Sequence, residues 1–191
     1  MAAPAQRHIA HSIMAAAASA LILVACSTTT PETSTTPGTI SANPPAVSPS
    51  LASGERAKKQ ATAAYIGMWR DFVEAAATAD WQSQGLAQHA TGIALTNLSR
   101  ALYADHRNGL VTKGEPAHDT QVSSVDPVTS PTRVVIADCS DSTSSLKYRV
   151  DNGQLANDAP GGRRQINAIV EKQSDGSWKV SDFGVHEVGS C

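Results

Sequence analysis

The sequence predicts an α+β domain in which helices come first and antiparallel strands follow. Three observations carry this. Apolar residues recur every three or four positions from Glu55 to about Arg107. After Gly109 the period changes to two, and β-branched residues dominate. Two hairpin-type turns, Asp151-Asn152-Gly153 and Ser174-Asp175-Gly176, then punctuate the strands, because Asn-Gly and Asp-Gly accept positive φ.

Between Glu55 and Ala79 the residues Ala61, Tyr65, Met68, Trp69, Phe72 and Ala76 share one helical face, with Lys58, Arg70, Asp71 and Glu74 largely off it. Asp80-Trp81 ends this helix, and "SQGLAQHAT" allows a short second one. A third helix runs through "TGIALTNLSRALYADHRNG", with Ile93, Leu95, Leu98 and Leu102 inward and Asn108-Gly109 as its stop. "TRVVIADC", "SLKYRV", "RQINAIVEK" and "SWKVSDFGVHEV" read as strands. "SSVDPVTSP" reads as a loop or a proline-interrupted edge strand, and "APGGRR" as a hairpin tip. Packing the helices on one face of a curved sheet buries both apolar faces.

The segment ahead of this domain has a different chemistry. Arg7 and the α-amino group precede an apolar stretch from Ile13 to Ala25. As a helix it spans about 20 Å, short of a hydrocarbon core of about 30 Å, and this length suits the h-region of a secretory signal. "LVAC", Leu23–Cys26, resembles the lipobox of bacterial lipoproteins. That resemblance implies diacylglycerol on the Cys26 sulfur, cleavage before Cys26, and a protein held on the outer face of a bacterial plasma membrane. The alternative is an ordinary signal peptide with a chance cysteine near its end. Residues 27–54 are Ser, Thr, Pro and Ala with almost no charge, a composition that cannot build a core. The expected organisation is thus a signal peptide over 1–25, a lipid-anchored disordered stalk over 26–54, and a folded domain over 55–191.

The helix-then-sheet order resembles the NTF2-like (cystatin-like, SnoaL-like) superfamily, in which three N-terminal helices cover a strongly bent sheet to form a cone. "YIGMWRDFVEAAATADWQSQGLAQHATGIALTNLSRALYADHRNGLVTKGEP", "VVIADCSDST" and the terminal "VGSC" look like a group of uncharacterised actinobacterial lipoproteins. The resemblance implies a cone that can enclose a pocket, in which enzymes of the fold use an Asp or His for proton transfer. It implies no particular activity, because the superfold hosts enzymes, transport factors and scaffolds.

Composition and motif spacing narrow the partners. Charged residues make up 17% of the chain, aromatics 4%, and the formal charge is −2. No basic stripe can neutralise phosphates, so nucleic acid is excluded as a partner. With Cys26 taken by lipid, Cys139 and Cys191 remain as an even pair in an exported domain, which suggests a bridge. A Cys/His nucleophile is the alternative. His89, His106, His118 and His186 are dispersed with no helical metal-ligand spacing, and no motif asks for a metal or another cofactor.

The catalytic candidates are His89, Asp105, His106, Asp138, Asp141, Asp182 and His186. Asp105 and His106 lie near the end of the third helix, where solvated charge is the ordinary outcome. Asp182 and His186 share a strand side by period two, and the facing of Asp138 is left open. Tyr65, Trp69, Phe72 and Trp81 line a pocket in one reading and form plain core in the other. The expected function is a cell-surface module that binds a small ligand or an envelope protein without catalysis. A small enzyme using an Asp or His of the cone is the second expectation. The third is an envelope scaffold forming a homodimer through the sheet.

Overall fold

A computed structural model describes residues 49–156 and 161–191, all within one compact unit, Pro44–Cys191. The expected signal, Cys26 and the stalk up to residue 48 lie outside the described residues, as do residues 157–160 of the expected hairpin tip. No helix among the described residues is long and apolar enough to cross a membrane.

The first helix, α1, covers Pro49–Ala76 and so begins six residues before Glu55. Proline is tolerated in a first helical turn, where its missing N–H has no intrahelical partner. The chain leaves α1 through Ala79 at φ 52°, and the Asp80 N–H returns to the Ala75 carbonyl. Two further helices follow, α2 (Leu86–His89) and α3 (Gly92–Arg107). The expected stop is observed, with Asn108 capping α3 and Gly109 at φ 63°. The inward face of α3 is Ala94, Leu98, Leu102 and Asp105, while Ile93 is 58% exposed rather than inward. Position 93 sits at the helix entrance, one residue off the stripe that meets the sheet.

Six strands follow: β1 (Leu110–Lys113), β2 (Ala117–Asp126), β3 (Arg133–Asp141), β4 (Leu146–Arg149), β5 (Arg163–Lys172) and β6 (Trp178–Val185). β1 pairs with β4, and β2-β3-β5-β6 form a four-stranded antiparallel sheet. Irregularities at Val122/Ser124 and Ile169/Val170 bend that sheet. The fold class read from the sequence is thus the one adopted: three N-terminal helices on a curved antiparallel sheet. β1 is an addition to the expected set, and β2 extends the edge-strand reading of "SSVDPVTSP" back to Ala117, since the segment 110–122 has too few apolar residues to stand out. Of the arginines of "APGGRR", Arg164 lies in the strand "RQINAIVEK" as expected, and only Arg163 is reassigned, because it opens β5 instead of forming a turn.

The core lies between α1, α3 and the inner face of the sheet, around Tyr65, Met68, Leu98, Leu102, Val134 and Ile136. Inward positions of β3 are Val134, Ile136, Asp138 and Ser140, opposed on β5 by Val170, Ala168, Ile166 and Arg164. Cys139 points to the opposite face and is bonded to Cys191, with Cα atoms 5.9 Å apart. The expected bridge is therefore formed, and it fastens the C-terminus to the back of the sheet. It also leaves no thiol for a Cys/His nucleophile among the described residues.

Candidate functional site

Two polar arrangements share the inner face of the sheet. The first is built on Asp138, whose side chain is fully buried. Its Oδ2 accepts a hydrogen bond from the Tyr65 hydroxyl of α1 (2.8 Å) and one from His118 Nδ1 of β2 (2.6 Å). An acceptor-only carboxylate places a proton on His118 Nδ1. His118 Nε2 and Asp138 Oδ1 are both buried and find no hydrogen-bond partner among the described residues. Burial, followed by the neighbouring Asp138 charge, pushes the Tyr65 phenol far above its ordinary range. Trp69 stacks on the His118 ring, with centroids 5.6 Å apart and planes at 27°.

The second arrangement is a cavity of about 200 Å³ beside this network. Trp69, Phe72, Val73 and Ala76 of α1 form one wall, and Ile166 and Val185 of the sheet another. Thr112, Ser140, Ser142, Ser145 and Arg164 supply its polar side. Arg164 is the one titratable side chain lining it among the described residues. Ser140 and Arg164 are cross-strand partners on β3 and β5, so their side chains leave the sheet together on its inner face. Tyr65, His118 and Asp138 do not line the cavity. Trp69 belongs to both arrangements.

The other sequence candidates are distributed over the domain. His89 Nδ1 lies 2.7 Å from Asp71 Oδ2, so Asp71 is buried against α2 instead of standing off the helix face. Gly67, one turn before Asp71, permits this: a Cβ there would lie 2.7 Å from the His89 ring. Asp105 is likewise buried rather than solvated, accepting from Lys147 Nζ of β4 at 2.7 Å, whereas His106 is exposed as expected. Asp141 accepts from the hydroxyl and N–H of Thr143 in a surface turn, and these bonds hold its carboxyl below the ordinary range.

Asp182 and His186 do share one side, but it is the outer face, opposite Ile169 and Gln165. No hydrogen bond joins them among the described residues; His186 Nε2 instead meets Asn167 Nδ2 at 3.1 Å. Of the aromatic candidates, Trp69 and Phe72 line the cavity and Tyr65 lies beside it. Trp81 packs against Tyr103 instead, with centroids 5.3 Å apart. No group of three or more His, Cys, Asp or Glu among the described residues could hold a metal ion.

Two site residues were missed as such. His118 lies on a strand whose alternation, His118-Thr120-Val122 inward against Asp119-Gln121 outward, is carried by mainly polar residues. Arg164 opens the strand "RQINAIVEK" read from the sequence, two residues before Ile166 in a period-two row that put it on the inner face, but no motif marked it as a site residue.

The fold and site define an α+β domain with a small, largely apolar chamber beside a buried carboxylate–imidazole–phenol network. No family model matches the sequence, and no curated protein matches it. Among solved structures, the chain is similar to the intermembrane-space region of the chloroplast protein ARC6. Identity is 15%, coverage 74% of this chain and 98% of that one, and the TM-score 0.39. It is also similar to a ketosteroid isomerase-like protein from Erwinia carotovora atroseptica, with 13% identity, 65% and 91% coverage and a TM-score of 0.38. A protein from Catenulispora acidiphila gives 14% identity, 69% and 94% coverage and a TM-score of 0.43. At this level of likeness the site is read from the chain's own geometry.

Proposed function

We propose that this is an exported, lipid-anchored binding protein of the bacterial envelope, whose domain holds a small, mainly apolar molecule without turning it over. The lining of the cavity carries the binding reading. Its wall is aromatic and aliphatic, and its polar side consists of hydroxyls and one guanidinium. The buried carboxylate and imidazole that a proton-transfer enzyme would use stand outside that lining. A volume of about 200 Å³ is below the roughly 300–1,000 Å³ of pockets for drug-sized molecules, so the ligand is compact. The address rests on "LVAC" and the uncharged Ser/Thr/Pro segment after it. Two attached acyl chains make release from a bilayer very slow.

The test follows tryptophan fluorescence of the detergent-solubilised full chain during titration with benzyl alcohol. The native protein is expected to saturate, and Ala76→Phe, which fills the chamber from α1, is expected to abolish the response. An unchanged response in Ala76→Phe overturns the cavity as the site. For the address, Cys26→Ser is expected to lose metabolic labelling by an alkynyl fatty acid, and retained labelling rules out lipid at Cys26.

An enzyme using His118 is the second reading, favoured by an Nδ1–H held on Asp138 and an Nε2 left without a partner. It requires Trp69 to leave its stack on the imidazole. If diethylpyrocarbonate modifies His118 in the native protein at the rate of exposed His106, the imidazole is reachable and this reading gains over the first.

A further inference from the structure

We infer that the cavity takes an anionic ligand, specifically a small apolar monocarboxylate, with Arg164 as the residue that recognises its head. This rests on the binding reading above and names the class of molecule.

Arg164 occupies an inward position on β5, in a row whose next members are Ile166, Ala168 and Val170. Its guanidinium makes no hydrogen bond or ion pair among the described residues, although Arg163 beside it reaches Cys139 Sγ and Lys147 reaches Asp105. Arg164 is half-buried, and a charge partly withdrawn from water beside an apolar wall gains from a partner. Opposite it in register, Ser140 is buried to 7% exposure and also lacks a side-chain partner among the described residues. Ser142 is different, since its hydroxyl already donates to the Gly162 carbonyl at 3.2 Å. Two adjacent, unused donors thus face one apolar chamber.

A guanidinium presents a planar fork that matches a carboxylate through two parallel N–H···O bonds. The Ser140 hydroxyl can donate to the same head group. One cation in the lining balances one negative charge, which favours a carboxylate over a doubly charged phosphate monoester. The wall of Trp69, Phe72 and Ile166 then receives the hydrocarbon or aromatic body. Arg164 is therefore a specificity residue: it selects the anion from neutral molecules of equal shape.

Isothermal titration of the detergent-solubilised full chain with benzoate and with its near-isostere benzyl alcohol tests this. Benzoate is expected to bind about 10- to 100-fold more tightly, the range of a charge-assisted pair. Arg164→Gln is expected to abolish the preference, so that benzoate and benzyl alcohol bind this variant about equally. Equal binding of the two by the native protein overturns the carboxylate inference and leaves the binding reading standing; binding of neither overturns both. Inorganic phosphate competing as well as benzoate overturns the monocarboxylate class. Should Arg164→Gln fail to fold, as circular dichroism would report, the benzoate-to-benzyl-alcohol ratio of the native protein still decides. Arg164→Lys, keeping charge without the fork, is then expected to retain only part of that ratio.

Discussion

Residues 138 and 140 of β3 point to the same side of the same sheet, yet their surroundings are opposite in kind. Asp138 is enclosed by partners that the chain itself supplies: Tyr65 from α1 and His118 from β2 converge on one of its oxygens. Ser140, two residues on, faces Arg164, and neither finds a side-chain partner among the described residues. The first arrangement ties three elements together through Asp138 Oδ2, while Asp138 Oδ1 and His118 Nε2 stay without a partner among the described residues. The second holds its donors toward a chamber. Polar groups in a core are thus of two kinds, and partner bookkeeping separates them better than burial does.

Perturbing both ends of this contrast gives effects of graded size. Asp138→Ala strands a buried imidazole and a buried phenol, so a loss of about 3–5 kcal/mol in unfolding free energy is expected, read from the guanidinium midpoint. A loss under about 1 kcal/mol would mean the network is not structural. Next in size is the double variant Cys139→Ser/Cys191→Ser. It frees a loop with a sequence separation of 52 behind β3, which carries Asp138 and Ser140, and about 2–4 kcal/mol is expected from the entropy of the opened chain.

Tyr65→Phe removes one donor to Asp138 and is expected to cost about 1–2 kcal/mol. It also carries a pH signature. The folded-state pKa of Tyr65 lies above its unfolded value of about 10, so its contribution is complete below that pH. It declines as pH rises further, because only the unfolded chain ionises. Native stability should therefore fall more steeply above about pH 10 than that of Tyr65→Phe, and parallel profiles would remove the phenol as the cause.

The smallest effect is expected from Arg164→Met. Without ligand, removing an unpaired guanidinium from the chamber wall should change stability by less than about 0.5 kcal/mol, or raise it. A loss of 2 kcal/mol or more would show that Arg164 has a structural partner and would collapse the contrast with Asp138.

The legible part of the site follows the same division. Tyr65, Trp69 and Phe72 stood out because helical spacing announces a buried face before any partner is known, and two of them line the chamber. Trp81 stood out equally, but it lies beyond the end of α1, where spacing no longer reports direction, and it packs on Tyr103. Asp71 and Asp105 read as solvated because charge on a helix ordinarily is. Their burial depends on His89 and Lys147, which arrive from other elements and are invisible to a local pattern. His118 was hidden for a related reason: a strand of mainly polar residues shows little apolar alternation, and only pairing with β3 reveals its inner face.

The sequence by itself determined the helix-then-strand order, the turns at Gly109, Gly153 and Gly176, and most of the apolar face of α1. It also identified the cysteine pair once Cys26 was set aside. These depend on period, backbone freedom and residue chemistry, all of which are local or countable. Only the tertiary structure decided that Asp138 turns inward to His118 and Tyr65, and that Ser140 and Arg164 meet across a ladder. The same holds for Asp182 and His186, which share a side that faces away from the chamber. Each of these depends on register between strands far apart in the chain, and a shift of one residue would exchange the two faces.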